Sequence, residues 1–172
     1  MRIIAMDGCE RTGKSTQIQL LKLYLEGKGF KVYTCHTSLL EQKDVTHMKI
    51  SREARFFAYM AALMEVTMKI RIIPCDYVLL DRYILTHIVY SKKYWSPHFQ
   101  KYNDQFTNHL FELLRNTPPT TLCFLYPYMR DKSYDPDLIT YFVNAELPGL
   151  EKITIQASKS DVHEHIKKLM QV

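Results

Sequence analysis

Short apolar runs alternate along this chain with longer segments in which apolar residues recur every three or four positions. The apolar runs predict five buried strands, at residues 2–6, 30–35, 77–80, 121–126 and 153–156. The helical spacing predicts four helices, at residues 14–28, 50–73, 99–115 and 158–170. Strands that alternate with helices predict the α/β class, with a mostly parallel five-stranded sheet, right-handed crossovers and flanking helices.

Two polar stretches lie between these elements. Residues 36–49 have weak periodicity and predict a loop with irregular helix. Residues 127–136 include Arg130, Asp131 and Lys132 and predict an exposed loop at the edge of the sheet.

The composition is that of one globular unit. With 172 residues, of which 47% are hydrophobic, the chain can bury one core but is short for two, so we expect a single domain over residues 1–172. The net charge of +5 suits an anionic partner, yet the basic residues are scattered and no recognised nucleic-acid-binding motif accompanies them. We therefore expect small polyanions such as nucleotides as partners, and no nucleic acid.

Cysteine usage and hydropathy bear on the compartment. The four cysteines form no C-x-x-C pair, and three of them lie in or beside apolar, strand-like runs, which indicates a reducing environment. No apolar run approaches the roughly 20 residues that span a membrane, and only about five residues precede the first polar loop, so we expect no signal peptide. The expectation is a soluble, cytoplasmic protein without a membrane partner.

The clearest chemical signal lies in residues 8–15. Their sequence, GCERTGKS, matches the P-loop pattern G-x-x-x-x-G-K-[ST] and lies between a predicted strand and a predicted helix. The backbone N–H groups of such a turn bind phosphate, which requires glycine where the chain bends closely, here Gly8 and Gly13. Lys14 would reach the terminal phosphates of ATP, and Ser15 would hold Mg²⁺. The pattern therefore predicts a three-layer P-loop NTPase fold that uses ATP and Mg²⁺.

Four more side chains in this region are candidates for binding. Thr12 and Thr16 are expected to contact phosphate, although a threonine at position 16 also suits the first turn of a helix. Arg11 is either an arginine that stabilises charge on the transferred phosphoryl group or a solvated loop cation. Glu10 is either a surface acid or a hydrogen-bond acceptor for a sugar hydroxyl.

The apolar strand at residues 77–80 ends in Asp81 and Arg82. Open α/β sheets bind ligands at the carboxyl ends of their strands, and P-loop proteins use an Asp at such a strand end to hold Mg²⁺. The alternative is an Asp that only starts the next turn. Arg82 would need an anion nearby, because an arginine beside a phosphate site otherwise repels Lys14.

The segments MDGCERTGKSTQ and LLDRY resemble the thymidylate kinase family, whose members carry an acid–arginine pair inside the P-loop and a D-R-[YH] signature after the third strand. Phe57 lies 24 residues before Asp81, similar to the family's base-stacking phenylalanine, and Tyr90 lies nine residues after Asp81, similar to its pocket aromatic. Thr86 stands where the family usually has Ser. The tail IQASKSDVHEHIKKL is similar to the family's final strand, adenine-side loop and closing helix.

This resemblance implies a nucleoside monophosphate kinase that converts dTMP to dTDP with ATP and Mg²⁺. It implies that Glu10 holds the sugar 3′-hydroxyl of the acceptor, that Arg11 bridges the two substrates' phosphates and that Arg82 binds the acceptor phosphate. The residues implied to line the rest of the acceptor pocket are Phe57, which stacks on the base, Tyr83, Thr86 and Tyr90. Lys14, Arg11 and Asp81 are the implied catalytic residues, with Ser15 and Asp81 at the metal.

The resemblance also implies a lid at about residues 127–137 and a homodimer through the long helix at residues 50–73. The Met- and Ala-rich composition of that helix permits such a dimer.

Three departures from the family leave the acceptor open. Ala61 stands where the family usually has a base-recognising arginine, and residues 35–38 (CHTS) replace an F-P-[ED]-R segment. The lid is short, with SYD at residues 133–135 as the best match to the usual R-Y-E. Arg52, Arg55 or Lys43 could take the place of the lost arginines.

The alternatives are a kinase for another deoxynucleotide or for an unphosphorylated nucleoside, and a weakly catalytic nucleotide-binding regulatory protein. Arg82 argues against the nucleoside. Phe57 also has a second interpretation, as a core residue of its helix.

Overall fold

A computed structural model of the chain describes residues 1–37, 39–40, 43–94, 102, 104–105, 108–109, 112, 120–126, 135–145 and 151–156. The strands are β1 (Arg2–Asp7), β2 (Val32–His36), β3 (Leu39–Leu40), β4 (Lys43–Asp44), β5 (Tyr77–Asp81), β6 (Thr120–Tyr126) and β7 (Glu151–Gln156). The helices are α1 (Lys14–Gly27), α2 (Arg52–Ile70), α3 (Ile84–Tyr94) and α4 (Pro136–Asn144), with a 3₁₀ turn at Val45–His47.

Five of the strands form one sheet in the order β2-β5-β1-β6-β7, and every pair in it is parallel. Asp81 at the end of β5 is in register with His36 at the end of β2 and with Met6 near the end of β1. The parallel sheet therefore brings the carboxyl ends of its neighbouring strands to one edge, where the P-loop follows β1.

Alternate residues of β1 and β5 enter two separate cores, one on each face of the sheet. On one face, Ile4 and Met6 pack with apolar residues of α1. On the other face, Ile3 and Ala5 pack with residues of α2, α3 and α4. Helices thus cover both faces of the sheet, which confirms the predicted three-layer P-loop α/β fold.

The predicted strands are confirmed with small changes at their ends, and so are the first two predicted helices. Ser51 sets the start of α2, because its Oγ accepts a hydrogen bond from the backbone N–H of Ala54 at 3.1 Å. The segment at residues 36–49 contains a 3₁₀ turn, in agreement with the predicted irregular helix, and the antiparallel hairpin β3–β4, which was not predicted.

Two helices were not predicted, α3 and α4. Asp135 and Pro136, which were assigned to the exposed loop, begin α4: the Asp135 carboxylate accepts a hydrogen bond from the N–H of Asp137 at 3.1 Å, and Pro136 occupies the first turn. In the predicted helix at residues 99–115, the described residues are helical, namely Tyr102, Asp104, Gln105, Asn108, His109 and Glu112. Of the implied lid at about residues 127–137, residues 127–134 lie outside the described residues, and so does the predicted helix at residues 158–170.

Among the helices that the structure describes, none combines the length and the hydropathy needed to cross a membrane.

Candidate functional site

A cavity of about 360 Å³ opens at the carboxyl edge of the sheet. Its lining residues are Glu10, Arg11, Gly13, Lys14, Ser15, Thr16, His36, Asp81 and Arg82. The sequence had predicted all of these except His36 as site residues. They come from the loop after β1 and from the ends of β2 and β5, where open α/β sheets bind ligands.

The backbone of the loop has the conformations that a phosphate-binding turn requires. Gly8 and Gly13 have φ angles of 139° and 88°, in the region that glycine enters without steric cost. Gly13 immediately precedes α1, and among the described residues no side chain caps this helix start. The first-turn amides of α1 are therefore oriented for an anionic ligand, and no acidic residue in that turn opposes one.

Lys14 is buried at the base of the cavity. Its Nζ donates hydrogen bonds to the carbonyl of Cys9 and, at 3.3 Å, to Oγ1 of Thr12, whose hydroxyl donates to the same carbonyl at 3.0 Å. Burial, assisted by the nearby charge of Arg82, lowers the pKa of Lys14 to about 8, while Asp81 and Asp7 oppose this shift. A phosphate beside Nζ would offset the cost of burying the ammonium group.

Ser15 and Asp81 meet on one wall of the cavity, where the Ser15 hydroxyl donates to Oδ2 of Asp81 at 2.5 Å. A hydroxyl and a carboxylate are the hard oxygen ligands that Mg²⁺ prefers. No group of three or more His, Cys, Asp and Glu side chains forms a metal cage in the described parts of the chain. This suits Mg²⁺, which proteins usually bind through one or two side chains together with water and substrate phosphates.

Arg82 also lines the cavity, near enough to Lys14 for the two charges to repel, and pairs with Glu10, with 3.7 Å between Nη2 and Oε1. Glu10 is exposed, so this pair is weak and an incoming anion can compete for the guanidinium. Arg82 has a φ of 69° and Arg11 one of 58°, both in the left-handed region that non-glycine residues rarely adopt. Backbone strain of this kind clusters at binding sites.

The remaining predicted acceptor residues, Phe57, Tyr83, Thr86 and Tyr90, are described by the structure but are not among the residues that line this cavity. Tyr83 is buried in the core, and Thr86 is buried with its hydroxyl bonded to Asp7. Tyr90 is half-buried and packs edge-on against Phe142, and burial raises the pKa of Tyr90 to about 12 against the opposing charge of Arg82. Phe57 is 43% exposed, so its interpretation as a core residue was wrong.

Sequence reasoning missed two polar residues at this edge of the sheet. His36 lines the main cavity and an adjoining cavity of about 170 Å³ that it shares with Ser15 and Asp81. Asp7, the last residue of β1, is completely buried and bonded to the turn that carries Arg82. Each residue ends an apolar strand, and this position was the only signal in the sequence. The strand register is needed to show that these strand ends lie at the same edge of the sheet.

Comparison with known structures agrees with the fold of the chain. A solved thymidylate kinase from Ehrlichia chaffeensis has a similar structure, with a TM-score of 0.72 over 99% of this chain and 98% of that chain, at 17% sequence identity. No protein-family model matches the sequence, and no curated protein matches it. The chain therefore has the P-loop α/β fold that this kinase also has.

Proposed function

We propose that the protein transfers a phosphoryl group from ATP to a nucleoside monophosphate, with dTMP as the leading acceptor. The observation that carries this proposal is the presence of two cationic side chains, Lys14 and Arg82, in the lining of one cavity that also contains the bonded Ser15 and Asp81 oxygens. Phosphoryl transfer depends mainly on positioning two anionic substrates and stabilising charge between them. Two anion sites that face one set of metal-binding oxygens meet that requirement.

The P-loop side of the cavity is assigned to ATP. The backbone N–H groups around Gly13 and the first turn of α1 would bind the phosphates, with Thr12 and Thr16 beside them. Lys14 would exchange its bonds to the loop for bonds to the terminal phosphates. Ser15 and Asp81 would hold Mg²⁺, which supplies neutralisation of the phosphate charge when it is bound.

The part of the cavity that Arg82 lines is assigned to the acceptor. Arg82 would bind the acceptor phosphate, since the weak Glu10 pair leaves its guanidinium available for a stronger anion. Glu10, once released, can accept a hydrogen bond from the acceptor's sugar hydroxyl. Arg11 lines the same cavity and would stabilise charge that develops during transfer.

The cavity has room for the reacting phosphates but not for two whole nucleotides, because about 360 Å³ is near the lower limit for a drug-sized ligand. The bases must therefore lie outside it. Phe57 has an exposed ring on α2 and is the residue that we assign to stacking on the acceptor base. A nucleoside acceptor is disfavoured, because it would leave Arg82 without an anionic ligand.

A second copy of the chain is the proposed partner of α2. This helix exposes Met64 and Met68, and Ile72 just beyond the helix is 81% exposed, so that these three residues recur every four positions and form an apolar stripe. Exposed apolar residues that line up on one face mark an interaction surface more often than single ones do. A homodimer that pairs these stripes would remove them from water.

The decisive experiment is an ADP-release assay with Mg-ATP and a panel of nucleoside monophosphates and nucleosides. Turnover with dTMP supports the proposal, and turnover with a different acceptor corrects the substrate while leaving the reaction class intact. A folded, ATP-binding protein that turns over no acceptor would instead be a nucleotide-dependent regulatory module. Lys14→Met serves as the inactive control in every reaction.

A further inference from the structure

Asp7 ties the end of β1 to the start of α3. Its carboxylate is completely buried, and Oδ1 accepts hydrogen bonds from the backbone N–H of Tyr83 at 2.8 Å and of Thr86 at 3.3 Å. The Thr86 hydroxyl donates to the same oxygen. The preceding residue, Met6, accepts a hydrogen bond from the N–H of Arg82 at 3.0 Å through its carbonyl oxygen.

These bonds hold the turn that carries Arg82. Arg82 has a φ of 69°, a conformation that a non-glycine residue keeps only where its surroundings determine it. The Met6 carbonyl fixes the N–H of Arg82 itself, and Asp7 fixes the next N–H along the chain, that of Tyr83. The direction in which the guanidinium enters the cavity therefore depends on Asp7.

The carboxyl group acts here as a hydrogen-bond acceptor more than as a charge. Among the described residues, Oδ2 of Asp7 has no hydrogen-bond partner. Burial raises the pKa of Asp7, against the opposing effects of the Thr86 and Tyr83 hydrogen bonds and the charges of Arg82 and Lys14. An asparagine could keep the acceptor at Oδ1 and place its amide nitrogen where Oδ2 lies.

We propose that Asp7 is a positioning residue for the acceptor phosphate, which acts by holding Arg82 through the turn at Tyr83 and Thr86. This inference rests on the proposed function, since it gives Arg82 the acceptor phosphate to bind. Asp7 itself does not touch substrate. Its hydrogen bonds run to the α3 turn and not to the loop amides around Gly13, so its loss should affect the acceptor side selectively.

The test compares Asp7→Ala with Asp7→Asn in steady-state kinetics, with ATP and dTMP both varied. The assays run at pH 6.5, where Lys14 stays protonated even if loss of the Asp7 charge lowers its pKa further. Asp7→Ala should raise the acceptor KM at least about tenfold and change the ATP KM less than about threefold. Asp7→Asn should restore the acceptor KM to within about threefold of wild type, because it keeps the acceptor oxygen.

The matched control is Asp76→Ala. The Asp76 carboxylate also accepts a hydrogen bond from a backbone N–H, that of Lys31 at 2.8 Å. Asp76 precedes β5, however, and so lies at the amino ends of the strands, away from the cavity. Its loss should leave both KM values unchanged. If Asp7 had only a structural role, Asp7→Ala would lower the thermal stability and the active fraction of the protein, but it would not raise the acceptor KM above the ATP KM relative to wild type.

If Asp7→Ala does not fold, Thr86→Val replaces it. Valine removes the hydroxyl that donates to Asp7, so Thr86→Val should raise the acceptor KM. Thr67→Val removes a similarly buried hydroxyl inside α2 and should leave the acceptor KM unchanged. An acceptor KM that stays at the wild-type value in Asp7→Ala, or a KM that rises equally for both substrates, overturns the inference alone. A wild-type protein that turns over no phosphorylated acceptor overturns the proposed function and this inference together.

Discussion

The Ser15 hydroxyl donates to Oδ2 of Asp81 across 2.5 Å and so joins the first turn of α1 to the end of β5. The two residues are 66 positions apart in the sequence. Their contact depends on the parallel pairing of β1 with β5, which places the loop after β1 beside the end of β5. The oxygens proposed to hold Mg²⁺ are thus brought together by the sheet itself.

Asp81→Asn should raise the Mg²⁺ concentration that gives half-maximal turnover by about 10- to 100-fold, because the loss of a carboxylate that supports a bound metal costs about that much in metal affinity. The measurement is ADP release during a Mg²⁺ titration at saturating ATP. Asp76→Asn, just before the other end of β5, is the matched control and should behave as wild type. An unchanged Mg²⁺ requirement in Asp81→Asn would remove Asp81 from the metal site.

Lys14→Met should lower turnover by about 10³-fold, since it removes a charge that acts on the transferred phosphoryl group. It should also stabilise the protein without nucleotide at neutral pH, on the order of 1–3 kcal/mol, because burial disfavours the Lys14 ammonium group and a thioether carries no such cost. Thermal unfolding and the ADP-release assay measure the two effects. A Lys14→Met protein that unfolds at a lower temperature than wild type contradicts the second.

The stability difference has a defined pH dependence. The pKa of Lys14 is lowered in the folded state from 10.5 to about 8, so the unfolded state binds more protons between these values. The cost of Lys14 is therefore fully present below pH 8 and is progressively relieved as the pH rises toward 10.5. The stabilisation by Lys14→Met should shrink over the same range.

The P-loop and the end of β5 could be predicted from the sequence because their signals are local. The glycine spacing and an apolar run that ends in Asp are visible without knowing what lies beside them. The helix α3 was missed because residues 84–94, ILTHIVYSKKY, are rich in β-branched and aromatic residues of low helix propensity. Its start is held by Asp7, 76 residues before Tyr83, and no local pattern reports such a bond.

The helix α4 and His36 were missed for different reasons. Asp135 and Pro136 are a good start signal for a helix, but the polar residues before them favoured the interpretation as a loop. His36 enters the site only because β2 pairs in register with β5, opposite Asp81. Strand order and register are tertiary properties that a single sequence does not reveal.

Phe57→Ala should raise the acceptor KM several-fold to about 100-fold and change stability by less than about 0.5 kcal/mol, because an exposed ring that stacks on a base contributes to binding and not to the core. Phe56→Ala is the matched control: this neighbouring ring is buried and lies 5.7 Å from that of Phe57 between centroids. Its loss should cost about 3–5 kcal/mol of stability. Equal acceptor KM values for Phe57→Ala and wild type would remove Phe57 from the base site.

Met68→Lys should shift the proposed homodimer toward monomer, because it places a charge in the centre of the apolar stripe on α2. Leu23→Lys is the control, since Leu23 on α1 is 65% exposed and Met68 is 61% exposed. Sedimentation velocity over a concentration series measures both variants. A wild-type protein that remains monomeric at the highest concentration would exclude the dimer.

Arg11 and Arg82 are assigned different tasks in one reaction, and steady-state kinetics can separate them. If Arg11 stabilises charge that appears only during transfer, Arg11→Ala should lower kcat by about 10³-fold and leave both KM values nearly unchanged. If Arg82 binds a phosphate that the acceptor already carries, Arg82→Ala should mainly raise the acceptor KM, with some loss of kcat as alignment degrades. Arg82→Lys should restore little of the affinity for the acceptor, because a lysine lacks the planar, bidentate guanidinium.

Arg71→Ala is the control, because Arg71 lies in the connection between α2 and β5, at the amino ends of the strands. It should change neither kcat nor the acceptor KM. An acceptor KM and a kcat that both stay at wild-type values in Arg82→Ala would mean that no acceptor phosphate binds at Arg82, and a nucleoside acceptor or a regulatory role would then account better for the site.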